Sequence, residues 1–487
     1  MTTFTHSKNT DMRRTLILFF ALMSSLISYC QTQQPQQQPQ PQERLPQQLN
    51  VNFDYAAYML SDKRPYIETY LLIDGESVNY TLNDVTLVSK IDVTMIFKNA
   101  DDLVEFRHFI VGNPPLPDTT DVFPDFSDVQ RIFIPQGIYN FELKIKDLNA
   151  PEGYDKTITR HEIIAIDIPQ KQAAFSGIEL LESFTPKRER TINLKNGYEC
   201  IPYGKNLIPQ DVDYLRFYVE LYNVAAELGD LGTCSIYTSI RNAHSLRTIA
   251  GHSSNTTANA LNYYQFMKEI NVKRLPTGQY FLNIEILDKQ NKTVCTASKY
   301  FERINPGVKL NGYAQTNKTL SSSKDYTSVD TVAIILNDMK MIADSTEQDA
   351  ISKAVASADM ILMQQTLHDF WIQRNQFAPD AALAKFVNTT NAARQNNCSP
   401  DQALLMARYG MPNTIVDRSS ATIPFVVWHY YKIGNLTNIK FVFTQQNGAY
   451  SLLHSNMPCE RQNDDWKSTL FTNGKQQDSD TEIFEGL

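Results

Sequence analysis

The stretches PQGIYNFELKIKD (residues 135–147) and PTGQYFLNIEILD (residues 276–288) follow one pattern at a constant offset. Each opens on a Pro-x-Gly turn and places a tyrosine two residues after the glycine, Tyr139 in the first and Tyr280 in the second. Phe141, Leu143 and Ile145, matched by Leu282, Ile284 and Ile286, then occupy alternate positions before Asp147 and Asp288 close the run. Alternation with period two is the mark of a strand with one buried face, and Pro, Gly and Asp are the residues that turn a chain. Such a turn and strand sit near the end of an immunoglobulin-like module, so the repeat predicts two of them, with Tyr139 and Tyr280 in their cores.

The sequence around these stretches agrees. Residues 66–73, 85–97 and 138–145 are rich in β-branched and aromatic side chains and are separated by Asp-Gly, Asn-Pro-Pro and Pro-Gln-Gly. Amphipathic helices do not interrupt them, which argues for antiparallel sandwiches over residues 50–170 and 171–304. Beyond residue 305 the period lengthens. Met360, Met363, Leu367, Phe370 and Trp371 share one helical face. Ser345 with Gln348 fits a capping box, and Asp380 and Asp401 fit helix N-caps. Strand texture returns at 425–431, 439–443 and 450–454. The expected architecture is therefore β-rich and multidomain: two tandem immunoglobulin-like β-sandwiches followed by an α+β carboxy-terminal domain over 305–472.

The amino end reads as an export signal over residues 1–30. Arg13-Arg14 supply the positive region, and residues 16–27 form an apolar run too short to span a bilayer. Cleavage before Gln31 and lipidation of Cys30 are both open, the second disfavoured by the bulk of Tyr29. Residues 31–49, nearly all Gln and Pro, have nothing to bury and read as a disordered tether. Residues 473–487 read as a flexible acidic tail. The expected location is the periplasm or outer membrane.

A net charge of −8 without clustered Lys and Arg excludes a nucleic-acid footprint. Eight scattered histidines lack metal-ligand spacing, and no metal or cofactor is implied.

The third region resembles the GWxTD-domain family of Bacteroidota envelope proteins. The resemblance rests on Phe370-Trp371-Ile372-Gln373-Arg374, on Tyr409-Gly410-Met411-Pro412, on Trp428-His429-Tyr430, on Phe441-Val442-Phe443 and on the run YSLLHS at 450–455. The opening of the first sandwich, NFDYAAYMLSDKRPYIETYLLI, is similar to that family's amino-terminal module. The signature itself is eroded: its positions fall on Asn397, Cys398, Ser399, Pro400 and Asp401, and only the Asp is kept. The resemblance implies a cell-envelope protein; with no recognisable acid–base or metal constellation, the expected role is non-catalytic, binding or scaffolding an envelope protein partner. Trp371 and Trp428, at helical and strand positions flanked by apolar residues, read as core side chains. A Cys398–Cys459 disulfide, flanking Trp428 in the family pattern, would replace the volume of the missing signature Trp.

Two other readings stand beside this one. Cys398 with His429 or His454 and Asp401 could form a thiol-dependent hydrolase, since such groups assemble in space and not in sequence. Exposed Trp371 and Trp428 could form a glycan-binding platform. Catalysis requires Cys398 beside a histidine, and glycan binding requires exposed rings.

Overall fold

The computed structural model describes residues 48–100, 102–153, 157–229, 232–309, 326–446, 448–471 and 484. The expected signal peptide, with Cys30, and most of the expected tether lie outside them. Seven main strands build the first sandwich: β1 (Val51–Met59), β2 (Pro65–Ile73), β3 (Ile91–Asn99), β4 (Asp102–Val111), β5 (Phe126–Phe133), β6 (Gly137–Asp147) and β7 (Thr157–Ile166). One sheet runs β1-β2-β5 and the other β7-β6-β3-β4, all antiparallel. Val93, Met95, Phe97, Phe141, Leu143 and Ile145 project between the sheets. Leu49 is buried in the same core, so the tether stops short of that residue.

The second sandwich repeats this topology with β8 (Glu179–Pro186), β9 (Tyr198–Pro202), β10 (Tyr214–Tyr222), β11 (Thr233–Asn242), β12 (Thr248–Asn259), β13 (Tyr263–Asn271), β14 (Gly278–Leu287) and β15 (Thr293–Arg303). Its sheets contain β13-β10-β8-β9 and β15-β14-β11-β12. With β9 set aside as an insertion, β6 and β14 hold the same place in their sandwiches. Tyr139 and Tyr280, both buried, make the same bond there: each hydroxyl donates to the carbonyl four residues back, Pro135 at 2.8 Å and Pro276 at 3.1 Å. This tethers the turn to the strand that follows, the arrangement known as a tyrosine corner. The glycine of each turn leaves room for the tyrosine ring end. A Cβ on Gly137 or Gly278 would lie 3.0 Å from the tyrosine oxygen.

The two sandwiches pack face to face through β1-β2-β5 and the β10 sheet, making four layers of sheet. Ala56, Tyr58, Tyr66 and Tyr70 meet Leu181, Cys200 and Tyr218 across that interface. At its centre the buried Lys195 ammonium reaches Glu68 at 2.5 Å and also bonds Glu179, and it lies 4.8 and 4.9 Å from the ring centres of Tyr58 and Tyr218. Arg131 holds the other Glu68 oxygen at 2.6 Å. Burial opposes charge on Glu68, but Lys195 and Arg131 prevail and its carboxyl is lowered; for Glu179 burial wins and the carboxyl is raised. Nearby, the buried Glu220 carboxylate accepts from three phenols, those of Tyr218, Tyr222 and Tyr263.

Helices α1 (Val329–Met339), α2 (Ser345–Ser357), α3 (Met360–Ile372), α4 (Pro379–Gln395) and α5 (Pro400–Tyr409) follow. A four-stranded antiparallel sheet then runs β16 (Thr414–Arg418), β17 (Phe425–Ile433), β18 (Leu436–Gln446) and β19 (Ala449–Ser455), with α6 (Trp466–Leu470) after it. One face of this sheet, with Trp428 and Phe441, shares a core with α4, α5 and with Phe281 and Tyr300 of the second sandwich. Phe425, Val427, Trp466 and Phe484 form a core on the other face. Phe484 is thus a packed residue inside a stretch expected to be a flexible tail.

The helix starts differ from expectation by a residue or more. Asp344 and Glu347 form the capping box of α2, not Ser345 and Gln348. Pro379 opens α4 without a side-chain cap from Asp380. Ser399 with Gln402 caps α5, which leaves Asp401 free for another task. Helix α1, capped by Ser328 and burying Val332, Ile335, Leu336 and Met339, carries a helical period that the sequence reading passed over.

Candidate functional site

A cleft of about 670 Å³ opens between the first sandwich and the carboxy-terminal sheet. Strand register builds its walls. In the sandwich, Lys98, Asn140 and Ile163 stand opposite one another across β3, β6 and β7, with Glu142 and His161 forming the next pair. In the carboxy-terminal sheet, Thr414, His429 and Lys440 stand opposite one another across β16, β17 and β18, with Val416 beside Val427. Two cross-strand rows of mixed character thus line one space at a domain junction, a common location for ligand and partner sites.

The electrostatics of the cleft favour neutral or paired groups. Burial, reinforced by the Lys440 ammonium, pushes His429 down to about 4, so its imidazole is uncharged at neutral pH. Its Nε2 has no hydrogen-bond partner among the described residues. Burial raises the Glu162 carboxyl against the pull of Arg160. Thr414 supplies the lining's one hydroxyl side chain, and no thiol is present in it. The walls offer donors, acceptors and charges of both signs. That set suits recognition of a polar surface.

A second cleft, of about 560 Å³, lies between β11, β14 and β15 and helices α4 and α5. Its guanidinium groups are already matched within the fold. Glu285 and Asn283 hold Arg241, the latter once its amide oxygen is turned toward the guanidinium. Glu347 takes Arg374 in a two-point contact at 2.8 Å for each bond, and Glu460 takes Arg408. Arg374 also lies 3.4 Å from the Phe370 ring centre and donates to the carbonyls of Phe370 and Ile342. The Phe-Trp-x-x-Arg stretch is therefore a clasp that ties α3 to the start of α2. Arg247 of the second sandwich joins the same Asp344–Glu347 pair.

The groups expected to converge around Cys398 are dispersed. Cys398 Sγ lies 3.7 Å from Met406 Sδ, and burial pushes its thiol up. His454 accepts from the Asn463 amide at 3.0 Å and stacks on Trp466. Asp401 accepts from the Leu452 amide at 2.7 Å, pinning α5 to β19. Each group is held by a different partner, so no nucleophile–base pair forms there. The expected Cys398–Cys459 bridge is also not formed. Both are free thiols, Cys459 lying 3.4 Å from the Tyr409 hydroxyl with its own thiol pushed up to about 11 by burial. Tyr409, stacked on Phe441, provides aromatic volume in this part of the core, which makes a bridge unnecessary for filling it. Trp371 and Trp428 are buried, against Phe386 and Phe443 respectively, and offer no exposed ring for a sugar.

The cleft rows are what sequence reasoning missed. His429 stands in the sequence as a candidate base for Cys398 and inside the Trp-His-Tyr run, neither of which points to a cleft, and Lys98, Glu142 and His161 carry no motif. No helix among the described residues is long and apolar enough to cross a membrane.

No family model matches the sequence, and no curated protein matches it. Among solved structures, the chain is similar to fibronectin(III)-like modules of Clostridium thermocellum CbhA, at 11% identity over 51% of this chain and 90% of that one, with a TM-score of 0.15. CBD12 from CALX1.2 matches at 10% identity over 46% and 75%, with a TM-score of 0.13. A glycosyl hydrolase family 2 member from Bacteroides cellulosilyticus matches at 10% identity over 49% and 28%, with a TM-score of 0.20. Scores this low carry no inference about activity.

Proposed function

We propose that the protein is an exported cell-envelope binding or scaffold protein of the GWxTD-domain type, acting through protein–protein contacts. The observation that supports it is the cleft between the first sandwich and the carboxy-terminal sheet. Its walls are strands, its lining mixes apolar groups with polar ones of both signs, and His429 is held neutral. Rigid sandwiches present such surfaces with little ordering cost on binding. In this reading residues 1–30 direct export, and the Gln/Pro-rich stretch over 31–49 gives the folded part reach from its attachment point. The partner is an envelope protein with a polar, charged segment that enters the cleft.

The test is site-specific photocrosslinking in native envelopes, with the probe at Thr414 or Ile163 and a control probe at Asn255 on β12. A discrete protein adduct from the cleft positions alone is expected. Equal labelling from all three positions, or none, overturns the reading.

A further inference from the structure

We propose that strand β4 is a self-association edge, where a second copy of this chain pairs antiparallel with it and joins the two β7-β6-β3-β4 sheets. Strand β4 ends its sheet, with β3 on one side and no neighbouring strand on the other among the described residues. It runs ten residues, DLVEFRHFIV, and is exposed along nearly its whole length. Leu103, Phe106 and Ile110 are 61, 49 and 59% exposed. A long edge carrying large apolar side chains invites another strand, because its outward N–H and C=O groups are a ready template.

The sister edge shows what an edge without such a partner looks like. Strand β12 holds the same place in the second sandwich and reads TIAGHSSNTTAN, exposing Ser253, Asn255, Thr257 and Asn259. The two edges share topology and differ in chemistry. Only β4 exposes bulky apolar side chains in quantity.

The charges on β4 select a copy of itself as the occupant. Register with β3 places Glu105 and Arg107 opposite Phe97 and Met95, on the core side of the sheet, with Phe106 between them on the outer side. Inward-pointing charges on an edge strand commonly oppose pairing, because an incoming strand would leave them unmatched. Here the two flanking charges are opposite, and within the strand they meet only at 3.5 Å. A two-fold axis at Phe106 sets Glu105 of each copy against Arg107 of the other, giving two cross-strand ion pairs, and sets Phe106 against Phe106. Centring on Arg107 would oppose like charges instead. The bulge beside Phe97 and Lys98 lies toward one end of the strand, so residues 105–107 at the two-fold axis are regular in both copies.

The experiment is sedimentation velocity of the full chain across a concentration series, with three variants. Wild type should show a reversible monomer–dimer equilibrium. Arg107→Glu, which places like charges opposite each other twice, should weaken the dimer by about tenfold or more, given the usual size of cross-strand charge effects. Glu105→Arg combined with Arg107→Glu restores both pairs and should restore the dimer. Phe106→Lys should leave a monomer with an unchanged near-ultraviolet circular dichroism spectrum. A wild-type chain that stays monomeric at roughly 100 μM, well above the range of a small but specific interface, overturns the proposal. So does a double swap that dimerises no better than Arg107→Glu alone. Dimerisation unaffected by all three variants places the contact elsewhere and likewise overturns it.

Discussion

At the scale of single residues, the matched tyrosines give the most direct test of the repeated fold. Tyr139 and Tyr280 sit at the same point of two sandwiches and make the same hydroxyl-to-carbonyl bond. Tyr→Phe at either should therefore cost a similar amount, about 1 kcal/mol, the net worth of one buried hydrogen bond. Tyr→Ala should cost about 3 kcal/mol or more, because the ring volume is lost as well. Urea unfolding of the four variants checks both the magnitude and the symmetry. His429 offers a test by pH. Its folded value is depressed to about 4 from the usual 6.5 by burial and Lys440. Between those values the unfolded chain binds a proton that the folded chain refuses, so stability falls as pH drops from about 6.5 toward 4. His429→Gln should flatten that stretch of the curve, by roughly 2 kcal/mol after allowance for solvent screening. Parallel wild-type and variant slopes between pH 7 and 5 would refute the assignment.

At the scale of elements, the start of α5 separates two jobs that one residue was expected to do. Ser399 supplies the N-cap, and Asp401 reaches across to the Leu452 amide of β19. Ser399→Ala should cost about 1 kcal/mol by unfitting the helix start. Asp401→Ala should cost roughly 1–3 kcal/mol, by leaving a part-buried N–H without its acceptor. The difference lies in where the damage appears. Hydrogen exchange should accelerate at the Leu452 amide in Asp401→Ala but not in Ser399→Ala. The same stretch shows why the cap was misplaced: Ser, Pro and Asp all favour helix starts, and only the backbone path decides which side chain faces the free amides. Helix α1 had a legible period, Val332, Ile335, Leu336 and Met339, and a legible Ser328 cap. Its existence could have been read from those residues.

For the molecule as a whole, the decisive contact is the ionic and tyrosine-rich seam between the sandwiches. Lys195 is the only cation bonded to Glu179 among the described ion pairs, and it reaches across the seam to Glu68, which it shares with Arg131. Lys195→Met would strand a buried carboxylate and should destabilise the protein by roughly 3–5 kcal/mol, the usual penalty for breaking a buried pair. Because the loss falls on the seam, the variant should unfold its sandwiches in separate steps where the wild type unfolds them together. Calorimetry reads this directly; a wild type that already shows two resolved transitions would count against a fused unit.

What the chain alone made legible was set by local chemistry. The Pro-x-Gly-x-Tyr repeat, the period-two strands and the switch to helical spacing each depend on residues close in sequence, and they specify two sandwiches and an α+β domain. The pairings that join distant segments were not legible. Glu68, Glu179 and Lys195 belong to three separate strands, and a Tyr- and Glu-bearing strand such as β2 reads as half exposed until a second sheet covers its outer face. The cleft follows the same logic. Lys98, Asn140 and Ile163 meet Thr414, His429 and Lys440 only because two sheets from opposite ends of the chain come together. A charge or a hydrogen-bonding group carries no record in sequence of which partner will remove it from water. Tertiary packing supplies that partner, and so it alone decided the seam, the cleft and the unpaired edge at β4.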